Sequence, residues 1–203
     1  MLSFFMSSTL ETLARLRKLT QSMNPKTASV DEALPAARAL FAAAHLPFKL
    51  VGGIAVVHHG YSRSTEDIDV LVSADGHARL DAVLTTHGFE RESRSRLRHR
   101  KTGVRIDLIV AGEHGPRPDA PPYPSPESVT PSATDADVVG LAPLLMLKLR
   151  ARRYQNLADV VALLKLVDDA HFVALEAELP ADLRGTLSDL RRDAKEELAL
   201  QGD

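Results

Sequence analysis

Two aspartates separated by one residue, Asp67 and Asp69, lie in the segment DIDVLV of this 203-residue chain. The segment alternates and is rich in branched residues, which predicts a β-strand. Because alternate residues of a strand point to the same side, the two carboxylates share one face and repel each other. Such a pair needs a compensating partner, and its oxygens suit a hard cation such as Mg²⁺.

A third acid, Asp107, interrupts the apolar segment VRIDLIV, which we predict to be a later strand. An unpaired charge in such a strand is costly, so we expect Asp107 to complete a two-metal site with Asp67 and Asp69. Taken alone, each part has an ordinary alternative. The two aspartates could mark a solvated strand entrance or cap a helix, and Asp107 could be an edge-strand acid that faces water.

A glycine pair, Gly52 and Gly53, stands between a short predicted strand and a predicted helix. Without side chains there, backbone N–H groups at the helix N-terminus can approach a phosphate, although a Gly-Gly pair is also found in simple tight turns. Downstream, Arg63 and Ser64 precede the aspartate strand, and Arg63 is either a solvated turn residue or a partner of a phosphate or acid. The combined order predicts a nucleotide phosphate site.

The remaining pattern predicts a small mixed α/β sheet. Ser29 and Glu32 have capping-box spacing and predict the start of a helix that Pro47 stops. The segment ERESRSRLRHR predicts one strand, joined to the Asp107 strand by a turn at residues 101–103. The predicted order is helix, strand, helix, strand, helix, strand, strand, which favours an α/β (α+β) fold flanked by helices.

Prolines mark a change in organisation after residue 113. The segment EHGPRPDAPPYPSPES holds six of the twelve prolines and predicts irregular structure, and helical patterns follow it. We predict four parts: an N-terminal extension (1–27), an α/β core (28–113), a proline-rich linker (114–130) and a helical C-terminal domain (131–203).

Composition restricts the classes of partner and of chemistry. The formal net charge of −2 predicts no bulk attraction to nucleic acid, so a basic surface would have to be local. The absence of cysteine excludes disulfides, thiolate metal sites and a cysteine nucleophile. The apolar run at the N-terminus is too short to span a membrane, and we expect a cytoplasmic protein without a membrane partner.

An arginine-rich segment is a candidate for such a local basic surface. In a single strand, alternation would place four arginines on one face: Arg94, Arg96, Arg98 and Arg100. One interpretation is a solvated edge strand whose charges prevent strand-to-strand aggregation. The other is a hairpin that faces a polyanion beside the active site and suits an RNA acceptor.

The segments GGIAVVHHGYSRSTEDIDVLV and RIDLIV resemble the minimal nucleotidyltransferases of the polymerase-beta-like superfamily, in particular the AbiEii-type branch, which includes toxins of toxin–antitoxin systems. The resemblance covers roughly residues 48–112. It implies that Gly52 and Gly53 hold the triphosphate of an NTP and that Asp67 and Asp69 bind Mg²⁺, with Mn²⁺ as the alternative. It also implies that Asp107 completes the metal site and helps to deprotonate the acceptor hydroxyl.

The resemblance extends more loosely to LMLKLRARRYQNLADVV, where Lys148 would point toward the nucleotide phosphates, followed by Arg153 and Asp159. Lys148 could instead be a snorkelling residue on an amphipathic helix. Two positions depart from the pattern. The superfamily has serine where this chain has Gly53, and the branch usually has an acid where this chain has Asn156.

The sequence thus predicts a Mg²⁺-dependent enzyme that moves a nucleoside monophosphate from an NTP to an acceptor hydroxyl. The resemblance and the arginines favour RNA, such as a tRNA 3′ end, and imply a toxin-like enzyme with an antitoxin partner. A small-molecule transferase of the antibiotic-modifying type is the first alternative. A non-catalytic nucleotide-binding or partner-binding module is the second, and the three clustered acids argue against it.

Overall fold

We describe the fold from a computed structural model, which describes residues 25–115, 117 and 119–201. Within these residues the chain forms a five-stranded mixed sheet that is flanked by helices and followed by a helical C-terminal part. The predicted fold class is confirmed. Residues 1–24 of the predicted N-terminal extension lie outside the described residues.

The sheet has the order β1-β2-β5-β4-β3, with β2 and β5 parallel and the other neighbours antiparallel. Its inner face is apolar, since Ile68, Val70 and Ile106 are fully buried in the main core. The strands are β1 (Phe48–Leu50), β2 (Asp67–Val72), β3 (Phe89–Ser93), β4 (Arg96–His99) and β5 (Arg105–Val110).

Seven helices lie in the described part of the chain, and short 3-10 turns cover Ala74–Gly76 and Thr85–His87. None of these helices is both long and apolar enough to cross a bilayer. The helices are α1 (Pro25–Ala43), α2 (Gly52–His58), α3 (His77–Asp81), α4 (Leu141–Ala151), α5 (Tyr154–Leu164), α6 (Asp169–Glu178) and α7 (Ala181–Gln201).

The predicted start of the first helix is wrong, whereas its end before Pro47 is as predicted. As described, α1 begins at Pro25, so Ser29 lies inside it and cannot be its N-cap. Proline is favoured in the first turn of a helix because its missing N–H is not needed there. The helix ends before Pro47, and His45 turns the chain with a φ of 47°.

The predicted single strand over ERESRSRLRHR is also wrong, because this segment forms the β3–β4 hairpin with its turn at residues 94–95. As one strand, the segment would hold Phe89 and His99 near its opposite ends, roughly 33 Å apart. The hairpin places Phe89 opposite His99 on the core side, with ring centroids 4.9 Å apart. Burial of both rings therefore favours two short strands over one long one.

Residues after the proline-rich segment return to the free edge of β1. The backbone N–H of Leu50 donates to the carbonyl of Asp137 at 2.6 Å, and the N–H of Val139 donates to the carbonyl of Leu50 at 3.1 Å. Helix α4 follows directly and packs near α2. The C-terminal helices are thereby placed beside the strand ends that carry the acids.

Candidate functional site

The structure brings two of the predicted acids together across the centre of the sheet. In the parallel pair β2–β5, Asp69 lies directly opposite Asp107, and Asp67 lies opposite Arg105. Partner residues of neighbouring strands point to the same side of a sheet, so all three carboxylates lie on its outer face. This is the placement expected from the sequence.

The carboxyl group of Asp69 has a strongly perturbed environment. Burial first, and then the negative charges of Asp67 and Asp107, together raise its pKa to about 6. Lys148 and a hydrogen bond from the backbone N–H of Gly53 act in the opposite direction. A carboxyl group with crowded negative neighbours gains from a cation in its vicinity.

The glycine pair makes room for this arrangement. Gly52 has a φ of +57°, and a Cβ at this position would lie 1.8 Å from Oδ2 of Asp69. At Gly53 a Cβ would lie 2.5 Å from Oγ1 of Thr65. The space beside each glycine is thus filled by a side chain of the chain itself, which is a reason for glycine that the sequence pattern did not indicate. Phosphate binding by the pair stays a prediction.

A buried ionic network lies beside the acids. Lys148 Nζ donates to Oδ2 of Asp159 at 2.6 Å, and the two side chains are 5% and 1% exposed. Arg63 Nε lies 3.0 Å from Oδ1 of the same Asp159. Burial lowers the pKa of Lys148, and the hydrogen bond and charge of Asp159 oppose that effect. Arg63 is therefore the partner of an acid, and Lys148 is not a surface residue.

Ser64, the other residue predicted to bind nucleotide, is exposed, and its backbone carbonyl accepts a hydrogen bond from Nη1 of Arg63 at 2.9 Å. Its contribution within the described structure is thus to hold Arg63. A direct contact of the Ser64 hydroxyl with a nucleotide stays a prediction.

A cleft of about 240 Å³ opens over the acids. One wall is formed by the outer face of β2 and β5, and the other by α4 and the start of α5. Its lining includes Gly52, Asp69, Asp107, Tyr123, Lys148, Arg153 and Asn156. Carboxylates and cations therefore face each other across one opening, as binding of a metal–triphosphate complex requires.

The sequence pattern did not single out Tyr123, which the proline-rich segment contributes to the cleft. Two backbone hydrogen bonds of 2.9 Å fix it at the end of β5: its N–H donates to the carbonyl of Glu113, and its carbonyl accepts from Gly112. The residue is half-buried, and burial raises the pKa of its hydroxyl. The sequence signal that could have indicated Tyr123 is its position as a lone aromatic residue among prolines.

The four arginines do not form one face. Arg96 and Arg98 share the outer face of β4, but Arg94 lies in the hairpin turn and Arg100 lies beyond the strand. The expectation of a single four-arginine face is wrong, because the chain turns within the segment. Each of the four has an acidic partner: Arg94 with Glu113 (3.0 Å), Arg96 with Asp107 (2.6 Å), Arg98 with Glu92 (3.5 Å) and Arg100 with Glu90 (3.5 Å).

The donor set suits a hard divalent cation. Asp69 and Asp107 are oxygen donors placed side by side, and burial together with the charges of Asp67 and Asp107 raises the pKa of Asp69. Among the described residues, no group of three or more His, Cys, Asp or Glu side chains is gathered closely enough to hold a metal ion. The Asp107 carboxylate is turned to Arg96 instead.

Residues 33–139, slightly more than half of the chain, match the family model of aminoglycoside-2''-adenylyltransferase. The matched range contains both glycines and all three acids, and it ends before Lys148. The AbiEii-type branch indicated by the sequence is not confirmed by this match. A search of curated proteins found no match.

Proposed function

This chain belongs to the aminoglycoside-2''-adenylyltransferase family, and we propose that it transfers a nucleoside monophosphate from an NTP to a hydroxyl group of a small cationic acceptor of the aminoglycoside type. The observation that carries this proposal is the pairing of Asp69 with Asp107 in a cleft that also contains Lys148. By its name, the family adenylylates aminoglycosides, so ATP is the first nucleotide to test.

In this proposal the carboxylates of Asp67, Asp69 and Asp107 would move together to hold Mg²⁺ or Mn²⁺. A bound cation would neutralise the charge of the triphosphate and of the reacting oxygens. The side chains of the opposite wall, Lys148 and Arg153, bind the triphosphate and orient it. Because Lys148 is buried and held by Asp159, its ammonium group is fixed before the nucleotide arrives, which reduces the cost of positioning.

The chemical step is an in-line displacement at phosphorus. The acceptor oxygen forms a bond to the α-phosphorus while the bond between that phosphorus and the leaving pyrophosphate breaks. The proton of the acceptor hydroxyl passes to a carboxylate of the acidic cluster, for which Asp107 is our candidate. The products are a nucleoside monophosphate ester and pyrophosphate.

The family match favours a cationic small molecule over RNA, and two acids beside the site are compatible with such an acceptor. A second cleft of about 380 Å³ includes Glu66 and Asp67, whose carboxylates suit the ammonium groups of an aminoglycoside. Arg98 and Arg105 also line it, but both lie within 4 Å of Glu92. Since the four predicted RNA-facing arginines have acidic partners too, an RNA acceptor and an antitoxin partner have no support from these contacts.

A label-transfer assay tests the proposal. The protein is incubated with each of the four α-labelled NTPs, Mg²⁺, and either an aminoglycoside panel or total RNA. We expect label on an aminoglycoside, and we expect Asp107→Asn to abolish it while Asp189→Asn, on the exposed surface of α7, leaves it unchanged. Label on RNA would establish nucleotidyl transfer but would overturn the proposal that the acceptor is an aminoglycoside. No label on any acceptor would overturn the proposed activity.

A further inference from the structure

Arg96 forms an ion pair with Asp107, one of the three acids. Its Nε donates to Oδ1 of Asp107 at 2.6 Å, and its Nη2 lies 3.4 Å from Oδ2 of the same carboxylate. The two residues are partners across the antiparallel strands β4 and β5. Both side chains keep contact with solvent, at 43% and 30% exposure, so the pair can open without disturbing the core.

The guanidinium group of Arg96 also interacts electrostatically with neighbouring acids. The hydrogen bond and charge of Asp107 raise the pKa of Arg96, and the charges of Glu92 and Asp67 contribute in the same direction. Arg96 thus brings positive charge toward both strands of the acidic cluster. Arg98, on the same face of β4, pairs instead with Glu92 and lies opposite Arg105.

We propose that Arg96 is a resident counter-ion of Asp107 that competes with the divalent cation for this carboxylate. The proposal rests on the proposed function, because it concerns the same site. A guanidinium bound to Oδ1 and a cation bound to the same oxygen exclude each other by charge and by space. Cation binding therefore requires Arg96 to leave Asp107, and the site opens only when a cation replaces it.

Removal of the guanidinium should raise the affinity of the site for a cation. We expect Arg96→Gln to bind Mn²⁺ about two- to fivefold more tightly than the wild-type protein, measured from free Mn²⁺ by electron paramagnetic resonance without nucleotide. Arg96→Lys keeps the charge and loses the two-pronged contact, so its affinity should fall between the two. Arg98→Gln is the matched control, because it removes a guanidinium from the same face without touching Asp107.

A double substitution separates this effect from a general change in surface charge. In the Asp107→Asn background, Arg96→Gln should change Mn²⁺ affinity no more than Arg98→Gln does. The inference is overturned by an equal or weaker affinity of Arg96→Gln, by an equal gain in Arg98→Gln, or by the absence of Mn²⁺ binding in the wild type. If label transfer occurs while Arg96→Gln shows no gain, the inference fails and the proposed function stands. If transfer and Mn²⁺ binding are both absent, both fail.

Discussion

Asp69 and Asp107 lie directly opposite each other on the parallel strands β2 and β5, although a helix and two other strands separate them in the chain. This pairing brings the acid of β5 beside the two acids of β2. It depends on the register of β5 against β2, because a shift by one residue would turn Asp107 toward the apolar core. The proposed chemistry therefore depends on sheet topology as much as on the aspartates themselves.

Replacement of Asp107 by asparagine should remove activity with little effect on folding. The carboxylate is partly exposed and contacts Arg96, so the fold loses only one exposed ion pair. The proposed role in cation binding and proton transfer predicts a fall in kcat of at least about 100-fold. Urea unfolding measured beside the rate separates the two effects, and a variant that is folded and fully active would contradict the role.

The raised pKa of Asp69 predicts a pH dependence of stability in the cation-free protein. A carboxyl group with a folded pKa of about 6, against a usual value of 3.8, favours the folded state most when it is protonated. Its stabilising contribution is complete below the unfolded value and is lost as the pH rises through 6. The resulting loss in the free energy of unfolding is at most about 3 kcal/mol.

Comparison of the wild type with Asp69→Asn isolates this contribution. The variant should lack the decline between pH 4 and pH 6 and should be the more stable protein at pH 8 without divalent cations. Urea titrations in the presence of a chelator provide the measurement. A wild-type protein that gains stability over this interval relative to the variant would show that the pKa of Asp69 is not raised.

Gly52→Ala should destabilise the protein and displace the acid beside it. The new Cβ would stand where Oδ2 of Asp69 lies, and alanine is strained at a φ of +57°. We expect a loss of at least about 2 kcal/mol in the free energy of unfolding. Gly185→Ala, with open space around a helical glycine in α7, should instead stabilise by about 0.5–1 kcal/mol. Equal effects of the two substitutions would contradict the contact with Asp69.

Within the ionic network around Asp159, substitution of Asp159 should cost more stability than substitution of Lys148. Asp159→Asn leaves the buried Lys148 and the part-buried Arg63 without their carboxylate, and should cost about 3–5 kcal/mol. Lys148→Met leaves Asp159 with Arg63 and Gln155, so the loss should be smaller, while the KM for the NTP rises. The free energies of unfolding and the KM values test this order, and a larger loss of stability in Lys148→Met would refute it.

The strands that carry the acids could be predicted because their signal is local. Alternation in DIDVLV and the apolar character of VRIDLIV determine which side chains face the core, and the structure confirms both strands. Contacts between distant segments were not predictable in this way. The pair of Arg96 with Asp107 depends on the register of the antiparallel strands β4 and β5, and the alternating arginines do not indicate which of them lies opposite Asp107.

The pairing of Lys148 with Asp159 could not be predicted from helical spacing. The two residues lie on different helices, α4 and α5, and the chain turns between them at Arg152 with a φ of 49°. A continuous helix, as the pattern LMLKLRARRYQNLADVV suggests, would have placed them differently. The fold class therefore follows from local patterns, whereas the geometry of the site depends on one unusual backbone residue and on strand register.

The most direct test follows the fate of each phosphate when ATP reacts with an aminoglycoside. Parallel reactions contain ATP labelled at the α-phosphate or at the γ-phosphate, with the wild type, Asp107→Asn and Asp189→Asn. Nucleotidyl transfer predicts that the α-label enters the aminoglycoside and the γ-label is recovered in pyrophosphate, in the wild type and Asp189→Asn only. Entry of the γ-label into the acceptor, or equal α-label transfer by Asp107→Asn, would contradict transfer by the paired aspartates.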